Sequence, residues 1–207
     1  PNWVDTKLIH PMGHSSPLRD ELDIGQHEVV ALYSGNVGQK QGLEIVIDAA
    51  RMLESEKELR FIMCGQGSAC EGLRSMAKGL KNIMWIQLQP VERLNELLNL
   101  ADIHLLPQRS DVADVVMPSK LTGILASGRP VVATVAEGTE VWSVVERRGI
   151  NTPPGDVRAF ADAIRELAHD PEKRKDLGQK GRCYAEEYLS RNKILGRFEA
   201  ELLRVAG

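Results

Sequence analysis

The sequence is short of the features that declare a chemistry on sight. Its three cysteines, Cys64, Cys70 and Cys183, are odd in number and form no CxxC pair. That argues against a disulfide framework or a cysteine zinc site and fits a reducing compartment. The five histidines, His10, His14, His27, His104 and His169, fall in no HExxH motif, and no DxD-type acidic cluster occurs, so no metal centre is expected. With 26 Lys+Arg against 29 Asp+Glu the net charge is -3. No tract of like charges reaches about five residues, which argues against a nucleic-acid stripe or a polybasic membrane patch. Any anion must then be held locally. There is no signal region and no apolar run of about 18 residues, so neither export nor membrane spanning is encoded in these 207 residues, and a cytoplasmic address is expected.

What is present is alternation. "VVALYSG" (29–35), "LRFIMCG" (59–65), "NIMWIQL" (82–88), "DIHLLP" (102–107) and "PVVAT" (130–134) are short apolar runs, each followed by turn residues. Between them lie segments of helical spacing such as "LEIVIDAARML", with apolar residues at 43, 45, 46, 49, 50, 52 and 53. Strands apolar throughout and alternating with helices predict βα units and a parallel sheet covered on both faces, a doubly wound α/β fold of the Rossmann kind. Past Gly155 the pattern reads as helical only. Residues 1–27, dotted with proline, glycine and serine, read as an interdomain linker that has lost its upstream domain; residues 28–207 read as the domain itself.

In such sheets ligands sit beyond the carboxyl ends of the strands, near helix N-termini whose free amides and dipole favour anions. The first such loop, "GNVGQKQG" (35–42), is neither GxGxxG nor GxxxxGK[ST], so it is no dinucleotide fingerprint and no Walker A loop. Its glycines Gly35 and Gly38 allow close backbone approach, Asn36 lies between them, and Lys40 offers a point charge. In "VVMPSKLTGILASGRPVVAT" (115–134) a helix opens at Met117-Pro118-Ser119-Lys120-Leu121. Proline suits a first helical turn, Ser119 can satisfy free amides, and Lys120 adds a cation. Gly65 and Gly67 border a site for a flat ring, and the backbone at Gln87 and Leu88 is placed to read a base edge.

Other signals point to packing. Ser75 and Lys78 match SxxK by letters alone, inside a helix with no partner motif. His104 sits in an apolar strand and Trp85 and Trp142 on apolar faces, so all three read as core. Glu137 and Glu140 flank a helix start, where a carboxylate favours the dipole.

The ordered blocks "YSGNVGQKQGLEIVIDAA", "FIMCGQG", "ELLNLADIHLLP", "MPSKLTGILASGRPVVAT" and "GDVRAFADAIREL" resemble the C-terminal domain of retaining GT-B glycosyltransferases of family GT4, nearest the colanic-acid fucosyltransferase-like branch. The resemblance covers about residues 28 to 205 and implies one half of a GT-B fold that binds a UDP- or GDP-sugar. It implies as partners a missing N-terminal acceptor domain and a surface-polysaccharide or lipid-linked acceptor, with the full protein at the inner face of the membrane. No metal cofactor is implied. Lys40 and Lys120 then neutralise the departing diphosphate, while Gly35, Asn36, Gly38, Gly65, Gly67, Gln87, Leu88, Met117, Pro118, Ser119 and Leu121 hold the donor. The family's two glutamates align with Val115 and Gly123, neither acidic; Ser119 and Lys120, with Asp111 or Asp114, are expected to take their place. Two other readings keep the fold: a non-catalytic nucleotide-binding scaffold subunit, and a GT-B-like sugar-nucleotide epimerase.

Overall fold

The computed structural model describes residues 2–109 and 117–196. Six strands, β1 (Val29–Ser34), β2 (Leu59–Cys64), β3 (Ile83–Ile86), β4 (Ile103–Leu106), β5 (Val131–Thr134) and β6 (Gly149–Thr152), form one sheet in the order β3-β2-β1-β4-β5-β6. Every pairing is parallel. The order reverses beside β1, so the crevice between the exits of β1 and β4 is where a ligand of such a sheet belongs.

The expected alternation holds for five strands. The sixth, Gly149–Thr152, is not among the expected strands: its four residues include glycine and asparagine, and it is held by pairing with β5 rather than by apolar character, while past Gly155 the described chain is helical as expected. Gly149 is placed by that contact, since a β-carbon there would stand 2.0 Å from the Val131 carbonyl oxygen.

Helices α1 (Pro17–Glu21), α2 (Glu44–Met52), α3 (Cys70–Met76), α4 (Leu94–Leu100), α5 (Ser119–Ala126), α6 (Glu140–Val145), α7 (Val157–His169) and α8 (Pro171–Tyr184) cover both faces of the sheet. Side chains alternate accordingly along β1: Ala31 and Tyr33 join α2, α3 and α7 in one core, while Val30 and Leu32 face α1 and α4. Helix α7 starts where Asp156 accepts from the Ala159 amide at 2.9 Å, and it buries Phe160, Ala163, Ile164 and Leu167 at helical spacing. Helix α8 has few apolar residues and approaches by glycine instead. A β-carbon on Gly178 would lie 2.1 Å from the Gly128 carbonyl oxygen.

The segment before β1 is strapped to this body. Val4, Ile9, Leu18 and Ile24 are buried, the Val4 amide donates to Leu189 O at 2.9 Å, and Asn99 on α4 bonds the backbone of both His10 and Met12. After α8 the chain makes a wide helical turn over Ala185–Leu189 before a last helical stretch from 191 to 196.

At the carboxyl edge, the loops after β1 and β2 are locked together. Gly35 N–H donates to Cys64 O at 2.9 Å, Val37 N–H to Gln66 O at 2.9 Å, and Ala69 N–H to Val37 O at 3.0 Å. A β-carbon on Gly65 would stand 2.0 Å from Gly35 O, and one on Gly67 2.3 Å from Val37 O. Gly65→Ala therefore forces the loops apart and should cost about 1–3 kcal/mol in urea denaturation. Gly72→Ala on α3, where nothing lies within 4 Å, should be neutral or gain up to about 1 kcal/mol.

His104 is fully buried, with Nε2 3.0 Å from Leu98 O and Nδ1 without a partner. It is a core residue, as expected, but only half satisfied. Burial, aided by the nearby Arg129, holds its pKa down at about 3 against the ordinary 6.5. Between these values the unfolded chain binds a proton that the folded chain refuses. The stability is whole above about pH 6.5 and falls on acidification, by up to about 1.4 kcal/mol per pH unit. Denaturation between pH 7 and 5, above the range in which carboxylates titrate, should show this slope, and His104→Gln should flatten it.

Candidate functional site

Tyr33 stands at the exit of β1, its ring buried and its hydroxyl at the edge. The hydroxyl donates to Asn36 O at 2.6 Å and accepts from Lys120 Nζ at 3.2 Å, and the ammonium also sits 4.6 Å from the ring centroid. Burial pushes the phenol pKa up, so the hydroxyl remains protonated and keeps its donor role. A cation over an aromatic face is favoured by the ring quadrupole. The same ammonium lies 3.3 Å from where a β-carbon on Gly35 would be. Lys120, at the mouth of α5, is thus brought against the glycine loop 85 residues earlier in the chain.

Within that loop the predicted residues divide. The Gly35 amide is already bonded to Cys64 O and is not a donor to a ligand, contrary to expectation. Asn36 N–H and Gly38 N–H have no hydrogen-bond partner among the described residues. Over Gly38 the side chains of Asn36 and Gln41 converge: a β-carbon there would meet Gln41 Oε1 at 2.7 Å and Asn36 Nδ2 at 3.0 Å. Gln41 Oε1 is buried without a hydrogen bond. Lys40 is exposed in the single turn Gln39–Gln41.

The mouth of α5 also departs from the sequence reading. Pro118 is the N-cap and has no side-chain cap bond, so Ser119 is the first helical residue, exposed, and does not satisfy the helix amides. The lack of a cap leaves the dipole end open toward an anion. Leu121 does not face a ligand: its side chain is fully buried and its amide donates to Pro118 O at 3.0 Å. Met117 is buried, and its carbonyl accepts from Asn2 Nδ2 at 2.6 Å. Asp111, Asp114 and Val115 lie outside the described residues.

The base-reading strip is narrower than expected. Gln87 O accepts from Cys64 Sγ at 3.4 Å and from Gln89 Nε2 at 3.0 Å, so that carbonyl is engaged. Leu88 is 48% exposed and presents an apolar side chain beside it. Trp85 packs on the core as expected, with the Arg74 guanidinium 4.7 Å from its ring centroid. Trp142 packs on the other core, and Thr139, rather than either glutamate, caps α6 by accepting from Trp142 N–H at 3.2 Å.

Sequence reasoning missed Tyr33, which reads as one more apolar strand residue, and Gln108 and Arg109 after β4. Thr134 Oγ1 ties down the Gln108 backbone from both sides, at 2.7 and 2.8 Å. Arg109 lies against Gly42, whose added β-carbon would meet Arg109 Cγ at 2.7 Å. A cleft of about 480 Å³ opens there, but it includes Glu44 and Asp48 and suits a diphosphate less well than the Lys120 seat. His10 and His14 are four positions apart but not on a helix; their rings turn to Pro11 O and Ser15 O. Among the described residues no group of three or more His, Cys, Asp or Glu is arranged to hold a metal ion, and no helix is long and apolar enough to cross a membrane.

Comparison with known proteins agrees with this fold. WcaI of Escherichia coli (strain K12), named for a glycosyl transferase of colanic acid biosynthesis, is 36% identical over 205 residues, covering 96% of this chain and 49% of that protein. Arabidopsis thaliana sulfoquinovosyl transferase SQD2 is 26% identical over 89% of this chain and 36% of its own length. The chain spans about half the length of WcaI. Among solved structures, Anabaena Alr3699/HepE in complex with UDP and glucose superposes with a TM-score of 0.82 at 18% identity, over 98% of this chain and 56% of that one. WaaG, a glycosyltransferase of lipopolysaccharide biosynthesis, gives 0.74 at 17% identity over 90% of this chain and 51% of that one. The sequence model of the glycosyl transferases group 1 family matches residues 15–183, and the chain belongs to that family.

Proposed function

We propose that the carboxyl edge of this sheet is the donor half of a retaining glycosyltransferase, holding the diphosphate of a UDP- or GDP-sugar between the 35–42 loop and the mouth of α5. The observation that carries this reading is Lys120 Nζ, 3.2 Å from Tyr33 OH and facing the glycine loop from an uncapped helix start. Glycosyl transfer leaves negative charge on the departing diphosphate while positive charge grows at the anomeric carbon. Lys120, Lys40 and the amides of Asn36 and Gly38 stabilise that leaving group, a task that metal ions perform elsewhere.

The UDP and UDP-glucose complexes of HepE support a nucleotide-sugar donor, and the colanic acid and lipopolysaccharide biosynthesis for which WcaI and WaaG are named supports a surface-polysaccharide or lipid-linked acceptor. The acceptor is held by the other half of the whole protein, so this chain alone binds donor and transfers little.

Thermal melting of the chain against UDP, GDP and their sugars tests the reading. One diphosphate series should raise the melting temperature, and EDTA should leave that rise unchanged. Lys120→Ala should weaken the diphosphate response and, in the whole enzyme, lower transfer by factors of hundreds, the equivalent of about 3 to 4 kcal/mol for one well-placed donor. No response to any nucleotide would overturn the reading, and a nucleotide response with no transfer by the whole protein would favour the nucleotide-binding scaffold alternative.

A further inference from the structure

The opposite, amino edge of the sheet holds a second concentration of positive charge. A cleft of about 540 Å³ opens where β5 begins, between α8 and the segment around Pro11 and Met12. Arg129, Arg174, Lys175 and Arg182 line it, and Asp102 is its one acidic residue. Asp102 is already engaged: Oδ2 accepts from Val30 N–H at 2.8 Å and pairs with Arg19 at 3.3 Å. Arg182 is engaged too, donating to Ile9 O, Ala126 O and Thr6 O and pairing with Glu186, and Arg174 donates to Leu167 O and Ala168 O.

Arg129 is different. It is partly buried, Nε has no partner and no solvent, and the guanidinium makes no hydrogen bond or ion pair among the described residues. Burial lowers its pKa; Asp102 offsets this in part, while Arg19 and Arg174 add to it as like charges. A desolvated cation among other cations, without a partner, is costly unless something anionic completes it. The turn that presents it is rigidly defined. Gly128 is in the left-handed region at φ +70°, with Pro11 Cγ 2.7 Å from where its β-carbon would be, and Gly178 lets α8 close on Gly128 O. Pro171 opens α8 at the same cleft, so the positive end of a 14-residue helix dipole adds to the field.

We infer that this cleft is a binding site for a phosphate group, with the Arg129 guanidinium as its fork and Lys175 as a mobile second cation. Several cations against one engaged carboxylate favour a phosphate over a carboxylate ligand, and the volume admits a small phosphorylated molecule rather than a bare ion alone. The site is independent of the donor edge, because it lies at the other ends of the same strands.

The test titrates the 207-residue chain with inorganic phosphate and with glycerol 3-phosphate by calorimetry, and with phosphatidylglycerol vesicles by flotation. Binding should persist in Lys120→Ala, which removes the anion seat at the donor edge. It should weaken at least tenfold in Arg129→Gln and in Lys175→Ala, while any UDP response survives in both. Lys175 is exposed, so its variant keeps the measurement readable if Arg129→Gln melts early. Binding to vesicles alone, lost in the Arg129 variant, would assign the phosphate to a lipid headgroup and support the site. Absence of binding in both arms, binding undiminished by Arg129→Gln, or loss in Lys120→Ala instead would overturn it.

Discussion

Gly35 O lies 2.0 Å from where a β-carbon of Gly65 would be, and Val37 O lies 2.3 Å from the same point on Gly67, so the loops after β1 and β2 meet backbone to backbone. The rest of the carboxyl edge depends on that contact. It lets Val37 and Ala69 bond across the two loops, which fixes the direction of the chain through Asn36 and Gly38 and turns Asn36 O toward Tyr33 OH. The hydroxyl, anchored by one bond to the loop, has a lone pair left for Lys120. A side chain on Gly65 would break this chain of consequences at its first step, although no atom of Gly65 itself need touch a ligand.

Much of the architecture was legible because parallel strands buried on two faces are nearly all apolar. The runs at 29, 59, 82, 102 and 130 stand out for that reason. β6 was not legible because an edge strand needs pairing on one side only, and "GINT" makes its four residues a strand by bonding to β5. At the site, sequence marked the glycine loop and Lys120, since glycine spacing and a lysine after proline at a helix start are local signals. It could not mark Tyr33, whose role arises from a contact between positions 33 and 120. It also misjudged groups whose role depends on what already holds them: the Gly35 amide, the Gln87 carbonyl and the Leu121 side chain each have a partner within the protein.

The net charge of -3 hides an uneven distribution. Acidic residues such as Glu56, Asp162 and Glu166 are paired with Arg165, His169 or Lys173 on the outer surface near α7. Near the ends of the central strands the cations are held in more varied ways. Lys120 contacts the Tyr33 ring and hydroxyl; Arg182 donates to three carbonyls and pairs with Glu186; Arg129 has no hydrogen bond or ion pair among the described residues. Arg129 therefore still projects a field that an incoming anion feels.

The glycine at 123 has a packing reason. A β-carbon there would stand 3.3 Å from Leu98 Cδ1, so the absence of a side chain lets α5 settle closely against α4, where Leu98 is 5% exposed. Position 123 therefore faces α4, whereas the Lys120 ammonium on the same helix turns to Tyr33 and the glycine loop, so the two residues serve different contacts: one sets how closely α5 packs, the other presents a cation at the helix mouth.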